Sequence, residues 1–183
     1  MSTVYPELDE KLIAFINKQK MFFVASAPLS ADGHVNMSPK GYDSFRIINS
    51  KRVAYLDLGG SGIETVAHAR ENGRITIMFC AYEGAALILR LYGKASVMQF
   101  NEPGFAEELA HFPGFERARN IIFVDIERVA DSCGWGIPFY EFKGQRDQLK
   151  RWMDNRTEEE WQERRFASNA ESVDGLKGLV RQP

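Results

Sequence analysis

Cysteine is scarce in this chain of 183 residues: Cys80 and Cys133 are the two present, too few and too separated for a disulfide scaffold or a tetrahedral zinc site. The count allows a single Cys80–Cys133 bridge. Unpaired thiols in a reducing, cytoplasmic setting are the expectation, since free cysteine is commonly buried. Histidine is as sparse, and His34, His68 and His111 stand far apart, with none in a metal-spaced cluster such as H-E-x-x-H. No apolar run approaches the roughly 20 residues needed to cross a bilayer. The opening MSTVYPELDEKL lacks the basic flank and apolar core of a secretory signal. A dominant charge is missing too. The 23 basic residues face 25 acidic ones, a formal net charge of −2, which gives no electrostatic reason for a nucleic-acid or membrane-surface partner. There is no nucleophile elbow and no P-loop, and GGSG at 59–62 lacks the G-x-G-x-x-G spacing of a dinucleotide fold. Nothing is laid out for nucleophilic catalysis.

What the chain does have is short apolar segments and flat side chains. Thirteen phenylalanines suit a β-rich core, and the length suits one domain burying roughly 70% of its unfolded surface. Pro6 opens a helical pattern in which Leu8, Leu12, Phe15 and Ile16 share a face. Four strands follow: MFFVASA, then HVNMSPKG after an Asp32-Gly33 turn, then FRIIN and RVAYLDL across Asn49-Ser50-Lys51. They read as an antiparallel meander. A short helix follows, with Ser61 and Glu64 in capping-box spacing, Ile63, Val66, Ala67 and Arg70 on one face, and Gly73 at its end. RITIMFCAY and AALILRLYGKASVM resume the β pattern, the second with a bulge or break expected at Gly93. A helix is expected over Glu102–Phe112 and a last strand over NIIFVDIERVA. After Pro138 the composition turns charged and helical, with Leu149, Trp152 and Met153 on one face and Thr157–Glu160 as another capping box. Regularly spaced short strands with few helices argue for a barrel rather than a parallel α/β sheet.

Two places can carry chemistry. In MSPKG, Ser38 and Lys40 share one strand face, Pro39 marks a ladder end, and Gly41 lets a flat ligand approach the backbone; a strand-end turn with a solvated lysine is the plainer account. From Asp57 to Thr65 a strand runs through glycines into a helix start, a ready anion site with Ser61 and Thr65 four apart. Glu64 opposes a phosphate there unless it turns back, and a well-capped helix is the plainer account.

The order of these pieces resembles the pyridoxamine 5'-phosphate oxidase-like FMN-binding split-barrel family over roughly Lys20 to Pro138. FFVASA, the Asp-Gly turn, VNMSPKG, RVAYLDL, the glycine-rich helix start, NGRITIMF, LRLYGKASV and IIFVDIERV occur in that family's order, and SCGWGIP at 132–138 and NAESVDGLKGL at 169–179 resemble one branch of it. The resemblance implies a mainly β (α+β) fold, an FMN-binding split β-barrel with peripheral helices over residues 1–140; the charged, helical composition beyond it reads as a C-terminal extension over 141–183. It implies a homodimer with FMN between copies. Met37, Ser38, Pro39, Lys40 and Gly41 lie along the ring, Tyr55 and Leu56 border it, and Ser61 to Thr65 hold the phosphate. Arg90 reaches in from a neighbouring wall, its face converging with that of Lys40, and Trp135 comes from the other subunit. The implied activity is flavin-mediated hydride or electron transfer to a small molecule, with a nicotinamide donor; the alternative is a non-catalytic module for flavin, haem or deazaflavin. Tyr42, Asp57 and Cys133 are the candidates for proton transfer, none of them obvious. The chain departs from the family at Glu64-Thr65, where the oxidases carry basic residues. It also lacks the C-terminal arginine and histidine pattern of the vitamin enzymes, which argues against oxidation of pyridoxine 5'-phosphate.

Overall fold

The computed structural model describes residues 2–181; Met1, Gln182 and Pro183, at the ends of the two expected segments, lie outside them. An N-terminal strand that the sequence does not announce, β1 (Val4–Tyr5), precedes α1 (Glu10–Lys18). The helix starts at Glu10 rather than beside Pro6 because Asp9 accepts the Leu12 amide at 2.8 Å. A carboxylate caps the first turn better than proline does. Leu8, Leu12 and Ile16 are buried against the sheet.

The strands are β2 (Phe22–Ser26), β3 (Asn36–Lys40), β4 (Phe45–Asn49), β5 (Arg52–Asp57), β6 (Arg74–Cys80), β7 (Ile88–Gln99) and β8 (Asn120–Ser132). All pairings are antiparallel, in the order β3-β2-β6-β7-β8-β5-β4, with β1 extending β8 beyond β5. The expected meander is therefore interrupted. β2–β3 and β4–β5 are hairpins at opposite ends of the sheet, and β3 and β4 do not pair. Curling brings those ends together through side chains: the rings of Phe22 and Phe45 lie 5.1 Å apart, and Phe79 and Tyr55 pack on the same cluster. The result is a split barrel, mainly β with helices at its periphery.

β7 runs unbroken, with a register slip between Tyr92 and Gly93. A side chain at Gly93 would place its first carbon 2.2 Å from the Asp125 carbonyl oxygen, so glycine lets β7 and β8 close over the bulge. α2 (Glu64–Glu71) presents Ile63, Val66 and Ala67 to the core, as its spacing predicts. Its capping box does not form. Ile63 is the N-cap and makes no side-chain bond, while Glu64 accepts the Val173 amide at 3.3 Å. α3 (Phe105–Leu109) is shorter than expected, because Gly104 at φ +85° delays its start. α4 (Gln148–Asp154) and α5 (Glu158–Ser168) follow, and the Thr157–Glu160 box is formed in both directions.

The segment after α5 returns to the barrel. Leu179 enters the core, Val180 exchanges hydrogen bonds with the buried Gln99 side chain at 2.9 and 2.6 Å, and Arg70 donates to the Gly178 carbonyl. Cys80 is buried, Cys133 is exposed, and both are free. Cys80 pairs with Ile88 and Ile88 with Ser132, so the backbone of Cys80 lies two strand spacings of about 4.8 Å each from that of Ser132, the neighbour of Cys133. No helix among the described residues is long and apolar enough to cross a membrane.

Replacing Gly93 by alanine is expected to cost about 1–3 kcal/mol by overpacking the β7–β8 bulge, read as a lower urea midpoint at constant slope. His68 gives a second test. It is fully buried on α2, its Nδ1 lies 3.0 Å from Ser26 Oγ, and its Nε2 has no partner among the described residues. Burial pushes its pKa below 6.5, against the pull of Asp174, Glu64 and Glu71. The unfolded chain then takes up the proton first, so stability is complete above the unfolded pKa and is lost as pH falls through it. Melting temperature is expected to drop as pH falls below about 6.5, and the drop should be shallower in His68→Gln than in the parent.

Candidate functional site

Strand alternation sorts the residues at the open end of the barrel. On β3, Asn36, Ser38 and Lys40 turn inward, while Met37 and Pro39 turn outward. On β5, Tyr55 and Asp57 face inward, and Leu56 packs on the opposite side with Ala54, Phe105 and Ile121. The loop between β5 and α2 contributes Ser61 and Gly62, α2 contributes Thr65, and Arg119, just ahead of β8, lies beneath. Together they line a polar cleft of about 60 Å³. Asn36 Nδ2 donates to Thr65 Oγ1 at 2.9 Å, and Ser38 Oγ donates to Asn36 Oδ1 at 3.3 Å.

Asp57 organises the floor. Its carboxylate accepts Arg119 Nε and Nη2, each at 2.9 Å, and Asn120 Nδ2 at 2.9 Å. The Arg119 amide donates to the Asp57 carbonyl at 2.8 Å, and Arg119 Nη1 reaches the Gly62 carbonyl at 3.0 Å. Burial alone would raise the Asp57 pKa, but Arg119, Lys40 and the Asn120 amide outweigh it and hold the group below its ordinary value. Asp57 is therefore a permanent anion rather than a proton carrier. Lys40 makes no ion pair among the described residues and leaves its cation to the cleft.

Tyr55 is 1% exposed, and its Oη has no hydrogen-bond partner among the described residues. Burial, reinforced by Asp57 and opposed by Arg119, pushes the phenol well above 10.0, so it stays neutral with a donor to offer. A buried hydroxyl without a partner costs about 1–3 kcal/mol, which a ligand in the cleft would recover. The loop amides add to the donors: among the described residues, the N–H groups of Gly59, Gly60, Ser61 and Gly62 donate to no other protein group.

The structure thus brings together Ser38, Lys40, Tyr55, Ser61 and Thr65. Gly41 lies at the rim of a separate, larger hollow with Tyr42 and Phe142, and Tyr42 donates to the Arg146 carbonyl at 2.6 Å. Within one chain the expected convergence of Lys40 and Arg90 does not occur. The pairings Pro39–Phe23, Phe23–Met78 and Met78–Arg90 put Arg90 on the sheet's outer face, where it donates to Ser132 Oγ at 3.0 Å. Parity gives the two faces of one strand but not which of them meets a face three strands away. Trp135, 86% exposed, lies beyond the end of β8, and Cys133 precedes it, away from the cleft. Sequence reasoning missed Arg119, Asn120 and Asn36. Their one signal is the polar pair Arg119-Asn120 directly before an apolar strand, which register sets opposite Asp57.

A curled antiparallel sheet split between two hairpins, with a polar cleft at its mouth, defines a split-barrel protein. The family model described as pyridoxamine 5'-phosphate oxidase matches residues 8–133. The pyridoxamine 5'-phosphate oxidase family protein ustO of Aspergillus flavus is 35% identical over 98% of this chain and 78% of its own length. The chain belongs to the pyridoxamine 5'-phosphate oxidase family. Among solved structures, HupZ of Group A Streptococcus superposes with a TM-score of 0.52 at 22% identity, over 67% of this chain and 91% of that one. A chain from Lactobacillus delbrueckii does so with a TM-score of 0.51 at 16% identity, over 68% and 94%. At these identities the likeness is one of fold.

Removing one partner of the Asp57–Arg119 pair leaves the other buried and uncompensated, so Asp57→Asn and Arg119→Met are each expected to cost about 3–5 kcal/mol. The double variant should lose less than the sum, since no lone charge remains. Urea unfolding of the four proteins provides the comparison.

Proposed function

We propose that the chain binds FMN at the Lys40–Thr65 cleft and acts, as a homodimer in the cytoplasm, as a flavin-dependent oxidoreductase on a small unsaturated or quinone-like molecule, with a nicotinamide donor. The reading rests on family membership together with one observation: the buried, partnerless Tyr55 hydroxyl lines a cleft whose available groups are otherwise Lys40, Ser61 and unbonded loop amides. That donor set fits the phosphate of a flavin nucleotide and one polar edge beside it. Bound FMN would supply hydride or electron transfer.

The residues' own tasks follow. Ser61, Thr65 and the loop amides hold the phosphate, and Lys40 supplies the charge that Glu64 withholds. Glu64 is itself occupied by the Val173 amide. Tyr55 donates a hydrogen bond and, with its raised pKa, keeps its proton. A cleft of about 60 Å³ is far smaller than the roughly 300–1,000 Å³ that encloses a drug-sized ligand, so most of the cofactor lies outside it, along Met37–Gly41, and needs a cover. A second copy provides one. Met37, 64% exposed, shares the outer sheet face with Phe23, Met78 and Tyr92, an apolar surface suited to self-association. Arg90 on that face and the exposed Trp135 are assigned to the cofactor of the other copy.

Lys40→Ala is expected to weaken FMN binding by about 10- to 100-fold, the loss of one charge-assisted contact, with melting of the cofactor-free protein unchanged. Riboflavin should bind less tightly than FMN. In the parent protein NADH or NADPH should bleach the flavin band, and pyridoxine 5'-phosphate should not be turned over. Equal affinities for FMN and riboflavin would remove the glycine loop from the site, and monomers alone in light scattering would remove the shared cover.

A further inference from the structure

The glycine loop has a second flank. A cavity of about 340 Å³ shares Gly59, Ser61 and Gly62 with the cleft but takes its other walls from the α4–α5 hairpin. Its lining carries no carboxylate. The charged residues on it are Arg164 and Arg165, and neither forms an ion pair among the described residues.

Arg165 is 4% exposed. Its Cζ sits 4.3 Å from the Phe100 ring centre and 4.4 Å from that of Trp161, two cation–π contacts that hold the guanidinium against aromatic surface. Nη2 donates to the carbonyls of Arg117 and Ala118 at 2.6 and 3.2 Å, which anchors α5 to the start of β8. Nε has no partner, nor does Nε1 of Trp161, itself 1% exposed, and both residues line the cavity. Burial pushes the Arg165 pKa down to about 9, so the group remains cationic at neutral pH. Native interiors rarely leave two buried donors unmet side by side, and a buried cation without a counter-charge is rarer still. Leu149 and Trp152 complete the lining, the Trp152 ring edge-on to Trp161 at 5.2 Å with Arg156 over it at 4.2 Å, and together they supply the cavity's apolar surface.

We infer that this cavity is a second ligand site, which takes a phosphate group, free or as the monoester of a ring-bearing molecule, on the Arg165 edge with its ring against Leu149 and Trp152. The inference goes beyond the FMN reading and does not need it.

The test is calorimetric titration of FMN-loaded protein with adenosine monophosphate, inorganic phosphate and adenosine. One adenosine monophosphate per chain is expected, with weaker binding of phosphate and none of adenosine. Leu149→Glu sets a carboxylate in the cavity and should weaken adenosine monophosphate binding by about tenfold or more, the effect of one charge-assisted contact. Its FMN titration should match that of the parent. Arg165→Met should do the same; because it also loosens α5, Leu149→Glu carries the decision if that variant fails to fold. Absence of adenosine monophosphate binding, adenosine binding equally well, unchanged affinity in Leu149→Glu, or release of FMN in step with adenosine monophosphate uptake would each overturn the site. Should the protein hold no FMN at all, the same titration of the cofactor-free chain still reads this cavity.

Discussion

A single buried carboxylate sets the geometry of the open end of the barrel. Asp57 ends β5, opposite Asn120 at the start of β8, and its oxygens are met by Arg119 and Asn120. Because Arg119 also holds the Gly62 carbonyl, the same interaction bends the chain through the glycine loop. It thereby fixes where Ser61 and the first turn of α2 lie relative to Lys40. The ion pair is worth little as net stabilisation, since desolvation offsets most of its attraction. Its value is positional: with donors on three sides, the carboxylate has few other arrangements in which its lone pairs are met. The α5 helix completes the frame from outside. Trp161 packs on Gly59, where a side-chain carbon would approach the indole to 3.2 Å, and Arg165 ties the helix to the residues just before Arg119.

The barrel closes by aromatic contact rather than by hydrogen bonding. Between β3 and β4 there is no ladder, and Phe22, Phe45, Tyr55 and Phe79 fill the gap with tilted and edge-on contacts. Edge-to-face rings add about 0.5–1.5 kcal/mol beyond their buried area, and they impose no register. This is why Lys40, paired with Phe22, can stand beside the cleft with its cation available. A ladder at that place would have shut the mouth.

Much of this was legible in the chain. Short alternating segments and their turns gave seven of the strands nearly in place, and Gly93 and the Thr157–Glu160 box did what their spacing said. Of the residues expected at a site, Ser38, Lys40, Tyr55, Ser61 and Thr65 come together at one cleft. What failed, failed for nameable reasons. The Ser61–Glu64 box was overridden by a tail more than a hundred residues away, whose Val173 amide occupies Glu64. The two-residue β1 has too little pattern to read. Arg119 acts through a register no local window contains, and Arg90 lies on the outer face because a strand's two faces cannot be ranked before its neighbours are known. The meander was a natural reading of four consecutive strands; the sheet instead sends its two hairpins to opposite ends.

The position of β8 has a consequence for how the molecule is made. It is the last strand in sequence, yet it lies between β7 on one side and β5 and then β1 on the other. On a ribosome, the chain up to Arg119 cannot be a barrel, whatever its local preferences: β5 and β7 emerge with one edge bare and no strand to join them. Sheets built from such distant pairings form slowly, and bare strand edges are where nascent chains associate wrongly. Closure therefore waits for residues 120–132, and the segment that brings Leu179 into the core is added only after every strand of the barrel has been made.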